Sequence, residues 1–180
     1  MNFVIYDLEA TCWEGKPLQM QQEVIEIGAY LLNPYGEVED VFNSFVQPVV
    51  HPYLSFYCQK LTSITQRDVE RAPRFPEVTD MFLDWAESFD DDFVLCSWGS
   101  FDRKLLMSNS ELHQMEPDWV DPHMNLKYQY HQLKRRRQPI GLKSAVELEG
   151  FEFTGIHHRA ISDAENLAKI FGKYLDVWQY

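Results

Sequence analysis

The period of the apolar positions changes several times along this chain, and each change marks an element. Asn2 to Leu8 is a short apolar run rich in β-formers and reads as a strand. Val24 to Leu32 and Val38 to Val46 are two more, and Asn33-Pro34-Tyr35-Gly36 between them is a strong turn signal, so the pair predicts a hairpin. An irregular stretch follows around Pro48 and Pro52. Val78, Phe82, Trp85, Ala86 and Phe89 then recur at helical spacing, predicting a helix from Phe75 to Phe89 that Asp90-Asp91-Asp92 stops. Phe93 to Ser97 is a buried strand, Asp102 to His113 a helix, Pro117 to Val120 a short strand, and His123 to Lys134 another helix. Gly141-Leu142 opens a further helix, and the last starts at about Ile161 with Ala164, Leu167, Ala168, Phe171 and Leu175 along one stripe. The order βββαβαβααα is that of an α/β layer arrangement with five strands.

Composition and charge narrow what such a domain does. No Pro/Gly/Ser-rich linker divides the 180 residues, which predicts one domain over residues 1–180. The first residues lack a charged leader and meet a carboxylate after a few apolar positions, so the expectation is a soluble cytoplasmic protein with no membrane contact. Cys12, Cys58 and Cys96 are odd in number and lack ligand spacing, which argues for reduced, mostly buried thiols and against a zinc site. The formal net charge of -12 argues against a protein that binds nucleic acid mainly through a broad basic surface. It does not exclude an acidic site that receives phosphates once divalent cations neutralise it. Lys134-Arg135-Arg136-Arg137 is the one clear basic run, at a predicted helix C-terminus where the dipole favours cations with or without a ligand.

Three short motifs carry the candidate chemistry. Asp7 and Glu9 are two apart on a strand, so both carboxylates share a face at its end, and no basic residue precedes Lys16 to neutralise them. A metal would relieve their repulsion; two solvated carboxylates at a strand terminus is the alternative. Asp102, after Ser97-Trp98-Gly99-Ser100-Phe101, starts a helix and can serve that helix's N-terminus or a ligand at the strand end. His158 precedes Asp163 by five residues, which puts the imidazole in the segment before the last helix and the aspartate in its first turn. A loop-borne imidazole titrating near neutrality can act as a general base. His157 is the alternative base, expected to pack or cap, and His51, His113, His123 and His131 show no ligand spacing.

Together these motifs resemble the DEDDh family of 3′-to-5′ exonucleases, which has an RNase H-like fold. Gln22-Glu23-Val24-Ile25-Glu26-Ile27-Gly28-Ala29, Leu61-Thr62-Ser63-Ile64-Thr65, Ala72-Pro73-Arg74-Phe75 and Gly155-Ile156-His157-His158 are similar to the branch that contains the enhanced-RNAi exonucleases and bacterial KapD-type proteins. The resemblance implies a mixed five-stranded sheet flanked by helices. It implies Asp7, Glu9, Asp102 and Asp163 as metal-binding acids for two Mg²⁺ (or Mn²⁺) ions about 4 Å apart, with Asp7 bridging and Asp102 acting largely through water. His158 would take the proton from the attacking water, and nucleoside 5′-monophosphates would leave one at a time. The partner implied is a single-stranded 3′ end, RNA before DNA. DNA trimming and a non-catalytic protein that binds nucleic-acid ends are the other readings, and a protein partner or homodimer stays open. Ala10 and Thr11 are candidates for the terminal sugar, and Leu8, Trp98 or Phe101 for the last base, with core packing as their alternative. The family often carries glycine where this chain has Ser63, which puts that loop's backbone in question.

Overall fold

The computed structural model describes residues 1–15, 20–89 and 92–179, and Lys16, Asp90 and Asp91 lie outside them. Five strands form one sheet: β1 (Asn2–Ala10), β2 (Val24–Leu32), β3 (Val38–Phe45), β4 (Phe93–Ser97) and β5 (His123–Asn125), in the order β3-β2-β1-β4-β5. β1 pairs antiparallel with β2, and β2 with β3, while β1–β4 and β4–β5 are parallel. Around the sheet lie α1 (Phe56–Thr62), α2 (Gln66–Glu70), α3 (Phe75–Glu87), α4 (Phe101–Leu112), α5 (Leu126–Leu133), α6 (Leu142–Leu148) and α7 (Ala160–Lys173).

The central strand β1 is covered on both faces, and its alternation divides the core. Val4, Tyr6, Leu8 and Ala10 enter a cluster with Phe75, Val78, Phe82, Leu105 and Leu106 of α3 and α4. Phe3 and Ile5 enter another with Ala145, Val146, Leu167, Ile170 and Phe171 of α6 and α7. The second face is the one that continues into Asp7 and Glu9. At the hairpin, Asn33 Oδ1 accepts the Tyr35 and Glu37 N–H groups (2.9 and 3.1 Å), and Gly36 takes φ +79°. The turn therefore follows from the side-chain acceptor and the absence of a Cβ.

Two expectations change. Pro117–Val120 is a 3₁₀ turn rather than a strand, since a proline without an N–H opens a helical turn well and donates nothing to a ladder. The fifth strand is instead His123–Asn125, the first three residues of the expected helix, drawn into the ladder beside Leu95–Ser97. The helix starts only where Asn125 Oδ1 accepts the Tyr128 N–H (3.0 Å). The stretch after Pro52 also holds α1 and α2, whose pattern is too short to read. Each is set by a cap, Ser55 Oγ accepting the Cys58 N–H (2.9 Å) and Asp68 Oδ2 accepting the Thr65 N–H (2.8 Å). Ser63 sits at the end of α1 at φ +59°, the left-handed cap that glycine adopts without strain. All three cysteines are free thiols, with Cys58 and Cys96 buried. Among the described residues no helix is long and apolar enough to cross a membrane.

Candidate active site

The carboxylates meet where β1 ends under the start of α7. β1 runs two residues further than the apolar run, so Asp7 and Glu9 are ladder residues, opposite Gly28 and Glu26 of β2. α7 crosses this corner. Gly28 has no side chain there because a Cβ would lie 2.2 Å from the Ile161 backbone nitrogen. That close approach brings Asp163, in the first turn of α7, over the two strand acids.

Ligand oxygens of Asp7, Glu9 and Asp163 lie within 4.8 Å of one another. A second group joins His157, His158 and Asp163 within the same distance, so Asp163 belongs to both. His158 stands at φ +63°, and its backbone N–H donates to Asp163 Oδ2 (3.0 Å). Among the described residues, Asp163 Oδ1 is buried with no hydrogen-bond partner. An unsatisfied buried carboxylate oxygen is costly, and a cation beside it would relieve that cost. Oxygen donors without cysteine suit a hard divalent ion, and these residues fit one.

Electrostatics agree with that fit. Burial first, and then Asp102, Asp163, Glu9 and Glu26, push the Asp7 carboxyl well above the usual range. Burial with Asp163 and Glu26 pushes Glu9 up to about 9. Asp102 is raised to about 7 by burial, against backbone N–H groups at Asp102 and Leu8 and the Ser97 hydroxyl, which pull it down. Asp163 is raised to about 7, mainly by burial, with the His158 N–H opposing. A cluster in which every acid is raised is short of positive charge. Burial lowers both histidines below their ordinary value, which favours the neutral imidazole.

Asp102 sits in the first turn of α4 and is buried, outside the Asp7/Glu9/Asp163 group yet close enough to raise Asp7. His157 packs its ring on Phe153 (5.3 Å) and on His158 (4.0 Å). Leu8, out of phase with the acids, is buried in the opposite core. The Thr11 N–H donates to Glu23 O (2.8 Å), its carbonyl accepts from Gln22 Nε2 (3.0 Å), and Ala10 O takes the Cys58 thiol (3.5 Å). The Thr11 N–H and the two carbonyls therefore each have a partner within the protein. Trp98 donates Nε1–H to Ile140 O (3.1 Å) and packs on Tyr130, whereas Phe101 is 51% exposed beside Asp102.

Sequence reasoning passed over Glu26 and Arg159. Glu26 is fully buried and receives the Arg159 guanidinium through Nε (3.1 Å) and Nη2 (2.8 Å). Glu26 stands in the Gln22 to Ala29 motif and Arg159 next to His158, but nothing in their spacing pairs residues 133 positions apart. The basic run also divides. Lys134 Nζ is bound to Glu149 (2.7 Å), leaving Arg135, Arg136 and Arg137 exposed.

This sheet order, with carboxylates at the end of its central strand and a helix-borne aspartate over them, is that of the RNase H-like nuclease folds. The chain belongs to the DEDDh exonuclease family within that class, and the exonuclease family model matches residues 4–171. It is similar to 3′-5′ exoribonuclease 1 of Rattus norvegicus, 33% identical over 174 residues, covering 92% of this chain and 50% of that protein. It is similar also to 3′-5′ exonuclease eri1 of Schizosaccharomyces pombe, 28% identical, covering 94% of this chain and 66% of that one. The chain spans about half the length of the curated exoribonuclease 1 relatives it matches. Among solved structures, the nuclease domain of 3′hExo, a DEDDh family member bound to rAMP, superposes with a TM-score of 0.92 at 31% identity, covering 97% of this chain and 92% of that one.

Proposed function

We propose that this chain is a divalent-metal-dependent 3′-to-5′ exonuclease that shortens single-stranded RNA ends and releases nucleoside 5′-monophosphates. The observation that carries the reading is the convergence of Asp7, Glu9 and Asp163 around a buried, unsatisfied carboxylate oxygen, with His158 tied to the same aspartate. The names of the relatives, and the rAMP held by a nuclease domain 31% identical to this one, support RNA as the substrate class.

Asp7, Glu9 and Asp163 would hold Mg²⁺, with Asp102 contributing from the α4 side, and Mn²⁺ would substitute. Bound there, the ions supply charge stabilisation for the phosphoryl oxygens and the leaving 3′ oxygen. His158, whose neutral form burial favours, accepts the proton of the attacking water at a ring nitrogen. Its backbone N–H, donated to Asp163, fixes the turn from which the ring reaches the acids. Phe101 leaves an exposed ring face beside Asp102 for the terminal base.

The test uses a 5′-labelled oligoribonucleotide and its deoxy counterpart with Mg²⁺, Mn²⁺ or EDTA. A ladder shortening from the 3′ end with metal, absent in EDTA and in Asp7→Ala, is the expected result. Equal rates on the two sugars would remove the RNA preference. Binding without shortening by the wild type would leave an end-binding protein instead.

A further inference from the structure

Glu26 and Gly28 lie on β2 directly across from Glu9 and Asp7, and both touch the first residues of α7. Glu26 Oε2 accepts the Ala160 N–H (2.9 Å), and Gly28 leaves room for the Ile161 nitrogen. The Glu26 carboxylate meanwhile grips Arg159 through two guanidinium nitrogens, and Arg159 lies between His158 and Ala160. The Arg159 guanidinium also faces the Phe45 ring at 5.2 Å, so it is held from two sides. Glu9 and Glu26 bring two carboxyl side chains face to face across the paired strands, an arrangement that leaves the Glu26 charge in need of a cation. Arg159 is the resident cation that compensates Glu26, fully buried behind the acids.

Resting on the exonuclease reading, we propose that Glu26 is a positioning residue: through Arg159 and the Ala160 N–H it fixes the first turn of α7 over β1, so that Asp163 meets Asp7 and Glu9 while His158 stays beside them. Neither Glu26 nor Arg159 touches the reacting atoms. Their effect passes through the His158 to Asp163 segment, whose internal bond is His158 N–H to Asp163 Oδ2. Partners one layer behind metal ligands act in this manner, fixing the orientation of the ligands in front of them.

Two substitutions separate position from charge. Glu26→Gln keeps the shape and an acceptor for the Ala160 N–H but removes the charge facing Arg159. Arg159→Lys keeps the net charge and loses the planar fork. In both, Mn²⁺ affinity measured calorimetrically without nucleic acid should fall by about 10–100-fold. Amide exchange at His158 should quicken as its bond to Asp163 loosens. On the labelled oligoribonucleotide kcat should fall while KM stays within about two-fold of wild type. Lower thermal stability with Mn²⁺ affinity and His158 exchange both unchanged would overturn the proposal and leave the pair as support for the fold. If Glu26→Gln does not fold, Arg159→Lys decides it by the same readouts. Metal affinity and exchange need no turnover, so a wild type inert on every strand would refute the exonuclease reading without deciding this one.

Discussion

Replacing Glu9 by glutamine should stabilise the metal-free protein and abolish its response to Mg²⁺. Glu9 is 8% exposed, and its carboxyl is pushed from 4.5 to about 9 by burial and by Asp163 and Glu26. At pH 7 the folded chain therefore keeps a proton there that the unfolded chain releases. Stability falls as pH rises from the ordinary carboxyl value toward the folded one, the reverse of a salt-bridged acid. The span from 4.5 to neutrality, at about 1.36 kcal/mol per unit, makes the cost about 3 kcal/mol as a ceiling. Glutamine has no proton to retain, and for a domain of this size it should raise the melting temperature in EDTA by about 3–10 °C. Mg²⁺ at about a hundred times its dissociation constant should add about 2.7 kcal/mol to the wild type and little to Glu9→Gln. The assay is thermal unfolding followed by circular dichroism, at pH 5, 7 and 9, in EDTA and in MgCl₂. A variant melting below wild type in EDTA, or gaining as much from Mg²⁺, would refute the claim that these carboxylates are held together for a cation.

His158→Ala should lower kcat by about 10²–10⁴-fold while leaving Mn²⁺ affinity near wild type. Because burial lowers the imidazole below its ordinary 6.5, kcat at saturating Mg²⁺ should hold down to pH 6.5 and fall only beneath it, and an acid limb centred above pH 7 would contradict the assignment. Replacing Arg135, Arg136 and Arg137 by alanine should raise KM and flatten its dependence on salt, by about 0.7 in log–log slope for each phosphate no longer neutralised, with kcat spared; an unchanged slope would mean that these arginines do not follow the strand. Glu149 accepts Tyr130 and Tyr174 hydroxyls (2.6 Å each) together with Lys134 and Lys173 (2.7 and 2.8 Å), and these partners outweigh its burial to hold its carboxyl well below the usual range. Its contribution is present above the ordinary value of 4.5 and is lost as pH falls through the folded one, so Glu149→Gln should cost about 2–3 kcal/mol at pH 7 and progressively less on acidification, read by urea unfolding.

Residues whose role depends on near neighbours were legible in the sequence. The Asp7 and Glu9 pair and the apolar stripe from Ala164 to Phe171 follow from periods of 2 and 3.6, and the hairpin at Asn33 to Gly36 follows from its turn residues, all of which local geometry imposes on any chain. The family likeness likewise rests on short motifs. α1, α2 and β5 were not legible, because elements of three to seven residues take their stability from caps and tertiary packing rather than from any period. Lys134 read as part of a cationic run, whereas Glu149, fifteen positions on, claims it.

Local chemistry alone set which side chains carry charge and on which face of each strand or helix they stand. Folding was needed to bring Glu26 and Gly28 of β2 under the start of α7, and to let Arg159 answer Glu26 across 133 positions. The difference is one of range. Periodicity acts within a few residues, whereas burial strips solvent from charges that meet only after the sheet has closed, and those charges must then find a partner in the fold or a cation from outside it.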